Sequence, residues 1–120
     1  MASQGDTFLG GAKVHGDDHL WIVINDPAAH AGQALIVNVS TLRPGAETTC
    51  IVKPGEHPFI KHDSYVRYMS ARSTIATNID AAIKTGKIQA HQTVSPALLA
   101  KLRAGAQASV MMPQELKSLL

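Results

Sequence analysis

The first half of the chain carries hydrophobic patterns that are typical of β-strands. Residues 6–10 predict a short opening strand. HLWIVIN, residues 19–25, is apolar at odd and even positions alike, as expected of a strand covered on both faces, and Asp26-Pro27 ends it. ALIVNVST, residues 34–41, has the same character. These patterns predict a sheet whose central strands are buried on both sides.

Two further strands are predicted before the pattern changes. ETTCIVK, residues 47–53, follows the turn Arg43-Pro44-Gly45 and ends at Pro54-Gly55. SYVRYMS, residues 64–70, is the last convincing strand of this half. Strands at this spacing, joined by short turns, indicate a small antiparallel barrel or a curled sheet.

The second half changes to a helical period. One apolar face runs from Ile75 to Ile83 and is followed by Gly86, which is well placed to end a helix. Ser95-Pro96 is a good N-cap and first-turn pair for a second helix, which Gly105 is expected to stop. Pro113 opens a last short helix. The prediction is one α+β domain over residues 1–120, with a β-barrel at about 5–72 and a helical part at about 73–120.

The two C-terminal helical segments also carry leucine stripes, which bear on assembly. Their members are Leu98, Leu99, Leu102, Leu116, Leu119 and Leu120. A barrel of this length covers only part of such a surface, so we expect a homodimer that uses the remainder.

Composition restricts the classes of protein that the chain can belong to. It has 120 residues, of which 45% are hydrophobic and 17% charged, as in ordinary globular proteins. No apolar run approaches the roughly 20 residues of a membrane helix. The start, MASQGDTF, lacks the basic and apolar regions of a signal peptide, and Cys50 is the single cysteine, so a reducing cytoplasm is expected.

Charge leaves a nucleic-acid partner open without requiring one. The formal net charge is +2, and the basic residues are scattered along the chain with no run that resembles a nucleic-acid-binding tail. If RNA binds, folding must therefore assemble the groove that holds it.

The stretch GEHPFIKHDSYVRY, residues 55–68, is the main candidate for chemistry. His57 and His62 are five residues apart and converge only if Pro58 turns the chain. A histidine pair near neutral pH suits phosphodiester cleavage, in which one group takes the proton of a ribose 2′-hydroxyl and another protonates the leaving oxygen. The alternative is that His57 caps a turn and His62 begins a strand.

The strand that follows adds candidates for RNA binding. On a strand, His62 and Ser64 share one face, and Tyr65 and Arg67 share the other. Tyr65 could stack on a base while Arg67 pairs with a phosphate, and Lys61 adds positive charge beside them. Equally, Tyr65 could be a core residue, because the chain has only five aromatic side chains with which to fill a core.

Residues at two strand ends complete the candidate site. His19 lies at the mouth of the buried strand, and Thr41 closes the next strand. We expect His19 to act with the two histidines as acid, base or phosphate ligand, and Thr41 and Ser64 to position the scissile phosphate. A metal site formed by Cys50, His57 and His62, to which His19 or Asp63 could add a ligand, is a weaker alternative, because zinc sites usually bring paired ligands at short spacing. We therefore expect no metal or cofactor. GxSxG, HExxH and CxxC are all absent from the sequence, which argues against the common serine hydrolases and zinc enzymes.

The order of these segments resembles the PemK/MazF-like toxins of bacterial toxin–antitoxin modules. The resemblance rests on GDTFLG, HLWIVINDP, ALIVNVST, DSYVRY and the closing leucine-rich helix, which together span most of residues 5–105. It implies an SH3-like β-barrel, a homodimer, a cognate antitoxin and metal-independent cleavage of single-stranded RNA. Thr41 matches the family's active threonine, whereas His19 stands where the family has a catalytic arginine. That departure would move proton transfer to His57 and His62. A non-catalytic SH3-like module that binds a protein is the alternative.

Overall fold

A computed structural model describes residues 1–10 and 19–120 of the chain, which form an α+β domain. Within them, seven strands and two α-helices are present. They are β1 (Thr7–Gly10), β2 (His19–Val23), β3 (Gln33–Thr41), β4 (Ile51–Val52), β5 (Ser64–Val66), β6 (Arg72–Ile75), α1 (Ala76–Lys84), β7 (Gln89–His91) and α2 (Pro96–Ala108). Short 3-10 helices cover Pro27–His30, Tyr68–Ser70 and Gln114–Leu119.

All strand pairings in this sheet are antiparallel, as predicted. The strands follow the order β4-β5-β3-β2-β1-β7. The long strand β3 pairs along one edge with β6 through its first residues and with β5 through its last ones. The described strands do not close on themselves, since β4 and β7 lie at opposite ends of the order. The predicted β-barrel is therefore not confirmed, and an open antiparallel sheet is what the structure has.

The sheet is covered on both faces, which explains why β2 is apolar at every position. Leu20 and Ile22 point to the face where α2 packs, and they belong to one buried cluster with Leu102. Trp21 and Val23 point to the face where α1 packs, in a second buried cluster that contains Ile79. These two faces are called the α2 face and the α1 face below. Burial of apolar surface on both of them stabilises the fold.

Helix α2 begins as predicted but does not end at Gly105. The Ser95 hydroxyl accepts a hydrogen bond from the Leu98 amide at 3.1 Å, so Ser95 is the N-cap. Gly105 lies inside the helix and is buried against Tyr68, whose hydroxyl donates a hydrogen bond to the Leu102 carbonyl at 2.8 Å. The prediction was wrong because this glycine provides room for a tyrosine ring and does not terminate the helix.

The leucine stripes pack inside the molecule. Leu98 and Leu102 are buried, and the other four leucines of the stripes are half-buried against the same cluster. The surplus apolar surface on which the sequence argument for a dimer rested is therefore largely used within the chain.

The remaining differences from prediction concern short strands. Only residues 51–52 of the predicted strand 47–53 pair, and only 64–66 of the strand 64–70, because the chain then turns through Tyr68–Ser70 to reach β6. Strands β6 and β7 lie in the half that was predicted to be helical; β7 has three residues and no alternating pattern. No helix in the described ranges has both the length and the apolar character needed to cross a membrane.

Candidate functional site

His57 occupies a buried position in which both ring nitrogens are already used. His57 is only 3% exposed. Nε2 lies 2.6 Å from the Gln92 carbonyl, and Nδ1 accepts a hydrogen bond from the Phe59 amide at 3.1 Å. The ring of His91 lies 5.3 Å away. These contacts match the alternative in which His57 caps a turn, and they give no support to its predicted catalytic role.

His57 is therefore expected to matter for stability. Replacing His57 by alanine removes a buried ring and two hydrogen bonds. The Phe59 amide loses its partner, whereas the Gln92 carbonyl still accepts a hydrogen bond from the Thr7 hydroxyl at 2.7 Å, so the free energy of unfolding should fall by about 2 kcal/mol. This change in the free energy of unfolding is measured by urea unfolding, with circular dichroism as the signal. His62→Ala is the matched control and should change the free energy by less than about 0.5 kcal/mol, because His62 is exposed. Equal effects of the two substitutions would contradict this assignment.

Residues 62–64, just before Tyr65, lie at the end of the ladder of backbone hydrogen bonds that joins β3 to β5. Thr41 pairs with Ser64, and beyond that pair the Leu42 amide donates to the Asp63 carbonyl at 2.9 Å. Arg43 and His62 each lie one residue beyond that hydrogen bond. His62 is exposed, whereas Ser64 is buried and its hydroxyl donates to the His62 carbonyl at 2.8 Å. Among the described residues, no hydrogen bond engages the His62 imidazole, whereas the Ser64 hydroxyl is engaged in the local turn.

The predicted strand-end residues share one end of the sheet but not one face. Thr41 and Ser64 form a pair, so both point to the face that carries Val39 and Val66. His19 alternates with Leu20 and so points to the opposite, α1 face, which Tyr65 also shares. Because β3 separates their strands, the backbones of His19 and Tyr65 are about 10 Å apart. Thr41 is exposed, and Lys61 is exposed in the loop before β5.

A cavity of about 350 Å³ lies at the β4–β5 side of the sheet and contains two of the predicted RNA-binding residues. Its walls come from the β3–β4 connection, from β5 and the chain just after it, and from the segment that follows α2. The lining residues are Arg43, Pro44, Gly45, Ala46, Glu47, Thr49, Tyr65, Arg67, Met69, Val110 and Met111. This volume lies within the range of small-molecule sites. The structure thus brings Tyr65 and Arg67 together, as predicted, and adds Arg43 to them.

The cavity is positively charged at one part of its wall and apolar at its rim. Within residues 1–10 and 19–120, neither Arg43 nor Arg67 takes part in an ion pair. Met69, Val110 and Met111 are among the exposed large hydrophobic residues. Two guanidinium groups without carboxylate partners favour an anionic ligand, and a guanidinium binds phosphate oxygens in a bidentate manner.

Glu47 and Tyr65 complete the cavity wall. The Glu47 Oε2 atom accepts hydrogen bonds from the hydroxyls of Thr49, at 2.7 Å, and of Ser109. Glu47 Oε1 is buried and has no hydrogen-bond partner among the residues that the structure describes. Tyr65 is only 4% exposed, so most of its ring is covered, as the core alternative had it.

Sequence reasoning missed Arg43, Glu47 and Met69 as site residues. Arg43 was assigned to a turn, and Glu47 to the start of a strand that in fact begins at Ile51. The signal that could have found Arg43 is the register of β3 with β5, which places the turn after Thr41 beside the histidine stretch.

No candidate metal centre is found in the described part of the chain, which contains no group of three or more possible ligands from His, Cys, Asp and Glu. Cys50 is buried in the α2-face core, and desolvation by burial raises the pKa of its thiol. The contacts of Cys50 and His57 therefore indicate that both residues serve the packing of the fold.

Comparison with known proteins adds no assignment to this site. No protein-family model matches the chain, and no curated protein matches it.

Proposed function

We propose that the protein binds single-stranded RNA in the cavity between Arg43 and Arg67 and cleaves it without a metal ion. The observation that carries the proposal is the presence in one cavity of two arginines that are free of ion pairs in the described chain. Arginines without acidic partners suit phosphate. Tyr65 is too covered for a base to stack on the face of its ring, so its predicted stacking role carries no part of the proposal. Double-stranded nucleic acid is a poorer candidate, because a concave site of this size admits a nucleotide that is not paired.

The proposed reaction is an intramolecular displacement at phosphorus. The ribose 2′-oxygen loses its proton and attacks the adjacent phosphate, the bond from phosphorus to the 5′-oxygen breaks, and that oxygen takes up a proton. The products are a 2′,3′-cyclic phosphate and a 5′-hydroxyl. Arg43 and Arg67 would stabilise the negative charge that grows on the phosphate oxygens. His62, exposed one residue beyond the hydrogen bond between Leu42 and Asp63, would transfer one of the two protons.

The resemblance to the PemK/MazF-like toxins supports the same chemistry and brings further proposals with it. They are a cytoplasmic endoribonuclease of a toxin–antitoxin module, an SH3-like sheet, a homodimer and a cognate antitoxin as partner. Thr41 and His19 would line the path of the RNA at the end of the sheet, and Lys61 would contact its backbone. Thr41 directly precedes the cavity wall that begins near Arg43, whereas His19 lies two strands away from β5 on the opposite face, so its role rests on the resemblance alone.

Binding tests the proposal before any chemistry is measured. A fluorescently labelled single-stranded RNA of mixed sequence should bind with an affinity that Arg67→Gln lowers about tenfold or more, since a phosphate–guanidinium contact is worth over about 1.5 kcal/mol. Fluorescence anisotropy at several salt concentrations gives the affinity and the salt slope, which should decrease by about one for the variant.

Lys84→Gln provides the control for loss of one positive charge, because Lys84 is exposed at the end of α1, outside the cavity. Its effect on RNA affinity should be small. If Arg67→Gln and Lys84→Gln weaken binding equally, the cavity is not the RNA site.

A protein-binding function is the second candidate, and the exposed apolar rim favours it. Val110 is 93% exposed, and Met69 and Met111 are about half exposed beside the two arginines. Such a surface fits an acidic peptide segment that carries apolar side chains. Absence of RNA binding, together with binding of such a peptide that Met111→Ser abolishes, would favour this function.

A further inference from the structure

The carboxylate of Glu47 has the arrangement of a group held in place for proton transfer. One oxygen, Oε2, accepts hydrogen bonds from Thr49 and Ser109. The Ser109 hydroxyl in turn accepts from the backbone amides of Met111 and Met112, at 3.1 and 3.2 Å, and so is itself fixed. These contacts determine the orientation of the carboxylate group and leave the other oxygen without a partner in the described chain.

The free oxygen is the unusual feature. Buried polar atoms are nearly always hydrogen-bonded, because an unpaired one costs about 1–3 kcal/mol. Glu47 Oε1 is buried and unpaired in the described chain, and Glu47 lines the cavity that Arg43 and Arg67 also line. No ion pair joins Glu47 to either arginine within the described ranges. Because Oε1 has almost no exposed surface, a ligand that donates a hydrogen bond removes this cost only if the side chains that cover the oxygen move when the ligand enters the cavity.

We propose that Glu47 is the general base that deprotonates the ribose 2′-hydroxyl, an inference that rests on the proposed cleavage of RNA. Oε1 accepts the 2′-proton as the 2′-oxygen attacks phosphorus. The electron pair of the breaking bond goes to the 5′-oxygen, which is protonated by His62. His57 is not available for either role, since both of its ring nitrogens contact the backbone. The site therefore uses one carboxylate and one imidazole in place of the predicted histidine pair.

Two substrates separate the base from the acid. The first substrate is the natural single-stranded RNA. The second is the same RNA with sulfur in place of the bridging 5′-oxygen at the bond that the wild-type protein cuts. A thiolate leaves without protonation, so the second substrate needs a base but no acid. Glu47→Gln should slow cleavage of both substrates by about 10²–10⁴-fold, the usual worth of general base catalysis. The His62→Ala variant should cleave only the natural substrate more slowly than the wild-type protein does.

Controls keep folding and binding apart from chemistry. Glu47→Gln retains an oxygen that accepts from Thr49 and Ser109, and its fold is checked by circular dichroism and its RNA affinity by anisotropy. Glu115→Gln makes the same chemical change at an exposed residue outside the cavity and should cleave as wild type does. Glu47→Asp keeps the charge but withdraws the carboxylate, and it should also lose most of the activity.

Each outcome decides the proposal. Loss of cleavage on both substrates by a folded Glu47→Gln that still binds RNA supports it. If this variant regains activity with the sulfur-containing substrate, Glu47 is not the base, while the proposed function stands. If Glu47→Gln cleaves the natural RNA as fast as wild type, the inference is wrong. If the wild-type protein binds and cuts no RNA, the proposed function and this inference fall together.

Discussion

Replacing His62 by alanine is expected to slow the cleavage of single-stranded RNA by about 10²–10⁴-fold while leaving the fold intact. The imidazole is exposed, so its removal exposes no core. His62 lies one residue beyond the last backbone hydrogen bond between the β3 and β5 segments of the chain, as does Arg43, which lines the cavity. In the proposed mechanism it gives its proton to the leaving 5′-oxygen, so the barrier rises when it is lost.

The measurement is the first-order rate of cleavage at saturating protein, with RNA affinity measured separately. His30→Ala is the matched control, since His30 belongs to the 3-10 helix before β3, at the end of that strand away from Thr41. It should cleave as wild type does. If His62→Ala retains full activity, His62 is only the residue that leads into β5, as the alternative reading of the sequence had it.

Replacing Gly105 by alanine is expected to lower the free energy of unfolding by about 3 kcal/mol or more, because the added methyl group overpacks a filled core. A Cβ at this position would overlap the Tyr68 hydroxyl oxygen and would lie 3.0 Å from Cys50 Cβ. Tyr68 is fully buried and its hydroxyl is bonded to the Leu102 carbonyl, so it has little room to move. In an exposed helix the same change stabilises by about 1 kcal/mol. The sign of the effect therefore tests the packing directly.

A double-mutant cycle with Tyr68→Phe shows whether the hydroxyl is the obstacle. Tyr68→Phe alone removes one buried hydrogen bond and should cost about 1–2 kcal/mol. Because it also removes the overlapping oxygen, the double variant should be more stable than the sum of the two losses predicts. Strictly additive losses, or stabilisation by Gly105→Ala, would contradict this account of the α2 interface.

Much of the fold could be predicted because its central strands and helices have strong local signals. The continuous apolar run of β2 reflects two covered faces, and Ser95-Pro96 fixes the start of α2. Gly105 shows where local reasoning fails, since a glycine that makes room for Tyr68 has the same letter as one that ends a helix. The closure of the sheet depends on which edges meet, and no local pattern carries that information.

The candidate site was predicted in part, for reasons that its residues make clear. Tyr65 and Arg67 both line the cavity, as expected from their spacing, although Arg67 lies just after the last residue of β5. The structure gives no support to a catalytic pair of His57 and His62, because both ring nitrogens of His57 contact the backbone, at the Phe59 amide and the Gln92 carbonyl. The second of these contacts joins residues 35 positions apart in the chain, which spacing alone cannot reveal.

The most direct test of the central claim is the product formed from a mixed-sequence single-stranded RNA in the presence of EDTA, compared with the same sequence carrying 2′-O-methyl groups throughout. Mass spectrometry identifies the ends of the fragments. We predict cleavage of the natural RNA to fragments that end in a 2′,3′-cyclic phosphate and begin with a 5′-hydroxyl, and no cleavage of the methylated strand. Intact natural RNA, cleavage that EDTA abolishes, or cutting of the methylated strand would contradict the account.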